Sequence, residues 1–229
     1  FGLGSGTQIA LALATALRRL KIDEPIEAQR LAQWTERGVR SAIGIHGFEK
    51  GGFLIEGGKP SSAQIAPLVL RMDFPEEWRF LLVTPNEVTG LHGAPEKQSF
   101  ARLPPMPAAT TDELCRRLLM ELVPALIERD FSASSDALYE FGQTAGSYFQ
   151  QVQGGVFADR QMERLAKRLQ SEGLRGVGQT SWGPTLFALC PDQKSALQWE
   201  RDLHTDPLAS GCRIRIAAPM NSGADIATS

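Results

Sequence analysis

Small residues alternate with glycine at the start of the chain, where Phe1-Gly2-Leu3-Gly4-Ser5-Gly6-Thr7-Gln8 runs straight into Ile9-Ala10-Leu11-Ala12-Leu13-Ala14. Glycines at this spacing let the backbone take positive φ and approach a ligand closely, and the apolar run after them predicts a helix. A helix opened by such a turn offers free N–H groups and about half a positive charge, which favour a phosphate. Ser5 and Thr7 add hydroxyls. The turn is not a dinucleotide fingerprint, because its third glycine comes one residue early and no acidic residue follows a second strand at the usual distance. Nor is it a P-loop, since Gly-Lys-Ser/Thr is absent. Taken alone, it fits a plain cap and turn as well as it fits a ligand site.

Two further stretches have chemistry-bearing composition. Residues 37–52 carry Arg37, Arg40, His46, Glu49 and Lys50 among five glycines, which predicts a loop making phosphate and metal contacts; the alternative is an ordinary surface loop. Gly176-Val177-Gly178-Gln179-Thr180-Ser181-Trp182-Gly183-Pro184 puts glycine, hydroxyls and an indole on one turn, a backbone nest suited to an anion or an aromatic ring.

These stretches must be held by regular elements. Periodicity predicts a helix over 8–19 with more than one apolar face, hence deeply buried, and a second after Asp23-Glu24-Pro25 running to Gly38. Strands are expected at 53–56, 65–72 and 78–84, and the proline- and glycine-rich segment 90–107 reads as a long loop or lid. Thr110 with Glu113 predicts a capping box opening a helix through Ile127, and another helix spans 134–149, where Tyr139, Glu140 and Phe141 either line a site or fill a core. The last third reads helix 160–173, glycine turn, strand 185–190, helix 193–203 and strand 212–217, an α+β pattern of the split βαβ, ferredoxin-like kind.

Composition narrows the class. A chain of 229 residues, 42% hydrophobic and 22% charged, is globular and long enough for one large or two small domains. A net charge of −2 supplies no basic field for nucleic acid. No apolar run approaches the roughly 20 residues of a membrane span, and no signal peptide is present. Cys115, Cys190 and Cys212 lack metal spacing and a disulfide count, so they read as buried thiols in a reducing, cytoplasmic compartment. The sequence opens on the glycine turn without methionine or a preceding strand, which predicts that N-terminal strands of the natural protein are missing from it.

With both glycine turns in view, the chain resembles the GHMP small-molecule kinase superfamily and, within it, the β-ribofuranosylaminobenzene 5′-phosphate synthase family of tetrahydromethanopterin biosynthesis. The matching segments are residues 2–8, 40–53, Gly90-Leu91-His92-Gly93, Val152-Gln153-Gly154-Gly155 and 176–185. The resemblance implies a two-domain α+β fold, divided here as 1–72 and 73–229. It implies a transferase joining phosphoribosyl pyrophosphate to 4-aminobenzoate or 4-hydroxybenzoate with loss of carbon dioxide and pyrophosphate. Many superfamily kinases carry an aspartate base in a Ser-Gly-Val-Asp pattern, and alignment puts Gly44 at that place, which disfavours phosphoryl transfer from ATP. A GHMP-type kinase and a non-catalytic phosphate sensor are the alternatives.

From this resemblance Gly2, Gly4, Ser5, Gly6, Thr7 and Arg37, with Gly176 and Gly178, are expected to bind phosphate, and Arg40, His46, Glu49 and Lys50 to serve catalysis. Glu49 is the expected ligand for Mg²⁺, the one implied cofactor. His92, Gln179, Ser181 and Trp182 are expected at the second substrate, the indole stacking on the benzoate ring. The usual phosphoribosyltransferase signature is absent, so the sugar phosphate must be held differently. Superfamily enzymes often pair, so a homodimer is an expectation by analogy.

Overall fold

The computed structural model describes residues 3–21, 26–59, 61, 64–86 and 103–225. They fall into two compact units, one from Gly4–Glu76 with Pro219–Ser229, the other from Glu77–Ala218 with Phe1–Leu3. The sequence division at 72/73 therefore moves, and the tail joins the first unit. Asn221 explains the return: its side chain accepts from Phe74 N at 2.8 Å and donates to Phe74 O at 2.9 Å.

The first unit packs helices α1 (Ser5–Lys21), α2 (Ala28–Trp34) and α3 (Ile43–Lys50) beside an antiparallel hairpin, β1 (Phe53–Glu56) and β2 (Leu68–Met72). Its core is Leu11, Leu31, Ala32, Ala42, Ile45, Phe48 and Ala66. The expected deep burial of the first helix does not hold, because α1 packs through one face only. Leu11 is fully buried, while Leu13, Leu17 and Leu20 are 60%, 62% and 83% exposed. Residues 43–50 are likewise a helix, where a loop was expected; Ile45 and Phe48 are drawn into the core on one face.

The second unit is a four-stranded antiparallel sheet in the spatial order β4-β5-β3-β6, from β3 (Arg79–Pro85), β4 (Val177–Gln179), β5 (Leu186–Cys190) and β6 (Cys212–Ala217). That order is the expected split βαβ. Between β3 and β4 stand α4 (Ala108–Arg117), a wide π turn (Leu118–Leu122), α5 (Val123–Ile127), α6 (Phe131–Gln153) and α7 (Arg160–Ser171); α8 (Gln193–His204) links β5 to β6. Pro124 has no N–H for the carbonyl four residues back, and the helix widens there so that Val123 N donates to Leu118 O. The expected capping box at Thr110 does not form. Helix α4 already begins at Ala108 after Pro107, and Glu113 pairs with Arg116 and Arg117 instead.

Sheet and helices meet over Leu81, Val83, Leu186, Ala188 and Cys190 on the sheet and Met162, Leu165, Ala166 and Leu169 on α7. The spacing i, i+3, i+4, i+7 puts those four α7 residues on one stripe. Each buried leucine contributes about 1.5–3 kcal/mol. Aspartates cap the starts: Asp130 accepts from Ala133 N on α6, Asp159 from Met162 N on α7, and Asp192 from Ser195 N on α8. The backbone N–H of Ser195 holds the Asp192 carboxyl below the usual carboxylate range. No described helix is long and apolar enough to cross a membrane.

Candidate active site

The opening turn of α1 is exposed from Gly4 to Gly6. Gly4 sits at φ +67°, and a Cβ there would meet nothing within 4 Å, so the glycine serves backbone conformation rather than packing. Thr7 N and Gln8 N both return to Gly4 O at 3.0 and 3.2 Å, and the first turn thus begins one residue after that glycine. Arg37 reaches this turn: its Nη1 lies 3.7 Å from where a Gly6 Cβ would be. Its loop is fixed on both sides. Glu36 at φ +54° and Gly38 at φ +84° make tight turns, Arg37 N donates to Ala32 O at 2.8 Å, and a Cβ on Gly38 would strike Ile45.

Helix α3 treats its own start in the opposite way. Ala42 N donates to the Glu56 carboxylate at 2.5 Å, and Ile43 N to Ser41 Oγ at 3.2 Å. A β-bulge between Ile55 and Glu56 aims that carboxylate. The positive end of α3 thus already carries an anion of the chain, whereas the end of α1 carries a nearby cation and open backbone. Of the two, only α1 suits an added phosphate.

The two helices are locked at these ends. Gln8 Nε2 donates to Gly44 O at 2.7 Å, and a Cβ on Gly44 would lie 3.1 Å from Thr7 Cβ and Cγ2. An aspartate at position 44, where the kinase pattern has its base, would have to displace Thr7. Farther along, Glu49 shares a small cavity with Thr15, Arg18 and Glu27. The described residues hold no cluster of three metal-ligating side chains.

His46 is 1% exposed, with Nε2 on Ala66 O at 2.9 Å and Nδ1 buried without a partner. It ties α3 to the segment before β2. Arg40 and Lys50 are exposed, and Arg40 is engaged elsewhere in the protein. Gly2 and His92 lie outside the described residues.

The second glycine turn uses its glycines for packing. A Cβ on Gly176 would meet Leu189 Cβ at 3.0 Å and Ser135 at 3.2 Å, and one on Gly178 would meet the Phe187 ring at 2.5 Å. Both glycines are buried, in contrast to the open nest expected there. Gln179 braces the turn: its Oε1 accepts from Ala158 N at 2.7 Å and its Nε2 donates to Ser181 O at 3.1 Å. Trp182 is 8% exposed and tilts against Phe149 at 5.2 Å between centroids. Its indole is therefore buried against Phe149, in place of the expected exposed stacking platform. Ser181 alone of this group is exposed.

Three site-building residues had no local signal in the sequence. Gln8, Glu56 and Lys59, the last donating to Gly38 O at 3.4 Å and to Val39 O, all act on partners 14 to 36 residues away. Only the close approach of α1, α3 and the hairpin gives them a role.

No family model matches the chain. Among curated proteins, it is 30% identical to the β-ribofuranosylphenol 5′-phosphate synthase of Archaeoglobus fulgidus, over 98% of this chain and 72% of that protein. It is 31% identical to the protein of the same name from Methanothermobacter thermautotrophicus, over 84% of this chain and 60% of that protein. The chain thus spans between about three fifths and three quarters of these relatives' length. Among solved structures, homoserine kinase from Cytophaga hutchinsonii superposes with a TM-score of 0.64 at 15% identity, over 96% of this chain and 66% of that one. Mevalonate-3-kinase from Thermoplasma acidophilum gives 0.63 at 14% identity, over 93% and 63%. At such identities they establish the fold, which is that of the GHMP kinases.

Proposed function

The chain belongs to the β-ribofuranosylphenol 5′-phosphate synthase family, and from that premise we propose that it joins phosphoribosyl pyrophosphate to a para-substituted benzoate. The relatives' name specifies a ribosylated phenol, so we take 4-hydroxybenzoate as the acceptor in preference to 4-aminobenzoate. The anomeric C–O bond breaks with its electron pair leaving on pyrophosphate. The ring carbon bearing the carboxylate, made electron-rich by the para hydroxyl, bonds to the anomeric carbon. Loss of carbon dioxide returns the C–C electron pair to the ring, and atoms and charge balance without a protein nucleophile.

The observation that carries this reading within the chain is the open α1 turn with Arg37 over Gly6, beside an α3 start already closed by Glu56. Its role is to hold a phosphate of the sugar, with Ser5 and Thr7 hydroxyls adding donors. Lys50 is an exposed cation that can serve the carboxylate or a second phosphate from the surface, while Arg40, also exposed, is already engaged. The protein's task is positioning and exclusion of water around an oxocarbenium-like sugar. Magnesium, where it assists, comes bound to the pyrophosphate of the substrate. The described cysteines are all free, which suits a reducing cytoplasm.

Incubation of the protein with carboxyl-labelled 4-hydroxybenzoate and phosphoribosyl pyrophosphate is expected to release labelled carbon dioxide. Consumption of ATP with a small alcohol, without that release, would replace this reading by a kinase.

A further inference from the structure

A second cavity, of about 320 Å³, lies wholly within the sheet unit, between α6 and the β4–β5 hairpin. Phe141, Phe149, Phe157 and Phe187 line it together with Gly142 and Gln143. None of the described side chains around it carries a charge. For comparison, an apolar cavity of about 150 Å³ suffices for benzene.

Two features of its wall point to an occupant. Gly142 stands in the middle of a 23-residue helix, where glycine costs about 1 kcal/mol against alanine, yet a Cβ there would meet nothing within 4 Å. Gly146, one turn on, differs: it is required by packing, since its Cβ would strike Val156 at 2.6 Å. The space at Gly142 therefore belongs to the cavity. Gln179 and Gln153 are already committed, the latter donating to Val156 O at 2.9 Å. The carboxamide of Gln143 has no partner among the described residues.

We propose that this cavity is an arene subsite, taking one planar aromatic ring by its uncharged end, with a neutral hydroxyl on that ring hydrogen-bonded to Gln143. The choice of 4-hydroxybenzoate as the ring rests on the synthase reading above; the cavity and its chemistry do not. A carboxylate inside an uncharged apolar wall would be penalised, so that group stays at the mouth. The ring carbon bearing it then faces outward, and the para hydroxyl that donates electrons is the buried end. Edge-to-face contacts with the four phenylalanines hold the ring.

Titration calorimetry of the protein with 4-hydroxybenzoate, benzoate and phenol tests this. Gly142→Leu should weaken 4-hydroxybenzoate about tenfold or more by filling the space, while Gly142→Ala, which meets no neighbour, binds within a few-fold of the parent. Gln143→Leu should weaken 4-hydroxybenzoate and phenol about tenfold and leave benzoate nearly unchanged; this variant carries the test if Gly142→Leu does not fold. Phenol binding that is lost in Gly142→Leu, in a protein that releases no carbon dioxide, sustains the subsite and removes the synthase reading. Normal carbon dioxide release with an unchanged KM for 4-hydroxybenzoate in Gly142→Leu and Gln143→Leu overturns the subsite and leaves the synthase standing.

Discussion

At Gly6 the absent side chain and a distant arginine define one another: Arg37 Nη1 comes to 3.7 Å of the missing Cβ, from a loop pinned by Glu36 and Gly38. Arg37 is exposed, so Arg37→Ala should lower affinity for pyrophosphate about tenfold, with the melting temperature unchanged. Equilibrium binding beside a thermal melt measures both. A different residue-scale effect governs high pH. Burial, and then the Asp192 carboxylate, push the Cys190 thiol up to about 12. An unfolded thiol titrates near 8.5, so between about pH 8.5 and 12 the folded chain keeps a proton that the unfolded chain loses, and stability falls as pH rises through that window. Cys190→Ala should flatten the decline in melting temperature above pH 9. The three-buried-thiol reading holds for Cys190 but not for Cys115, which is exposed on α4.

Elements decide what glycine means. The letters of 176–184 suggest a nest, yet strand pairing sets Gly178 opposite Phe187, whose ring fills the place of a Cβ. Gly178→Ala should cost about 1–3 kcal/mol by overpacking, read from the urea midpoint. Removing the carboxylate that closes α3, by Glu56→Gln, should cost about 1 kcal/mol in the same assay. Helix periodicity in the last third was legible in the sequence because it acts within one turn. His46 was not: its partner Ala66 lies 20 residues on, and a histidine in a glycine-rich stretch looks the same whether it faces ligand or core.

For the whole molecule, the split βαβ order follows from an alternation of strands and helices that the sequence displays openly, whereas the return of the tail does not. Asn221 reaches Phe74 across 147 positions. Asn221→Ala removes two hydrogen bonds, worth about 1–2 kcal/mol together. Amide exchange should then quicken at Gly52, whose N–H is held by Met220 O, and at Ala224, held by Phe48 O. Unchanged exchange at both would show that the tail is fastened by other contacts.

By itself the sequence determined the fold class and the kinship, because both are written in motifs and in the local spacing of glycine and apolar residues, and it marked the opening turn as a candidate anion site. Tertiary structure alone decided which glycines are open and which are filled, and that an uncharged cavity forms under α6. Those outcomes depend on what distant segments bring within a few ångströms, and no residue carries that information alone.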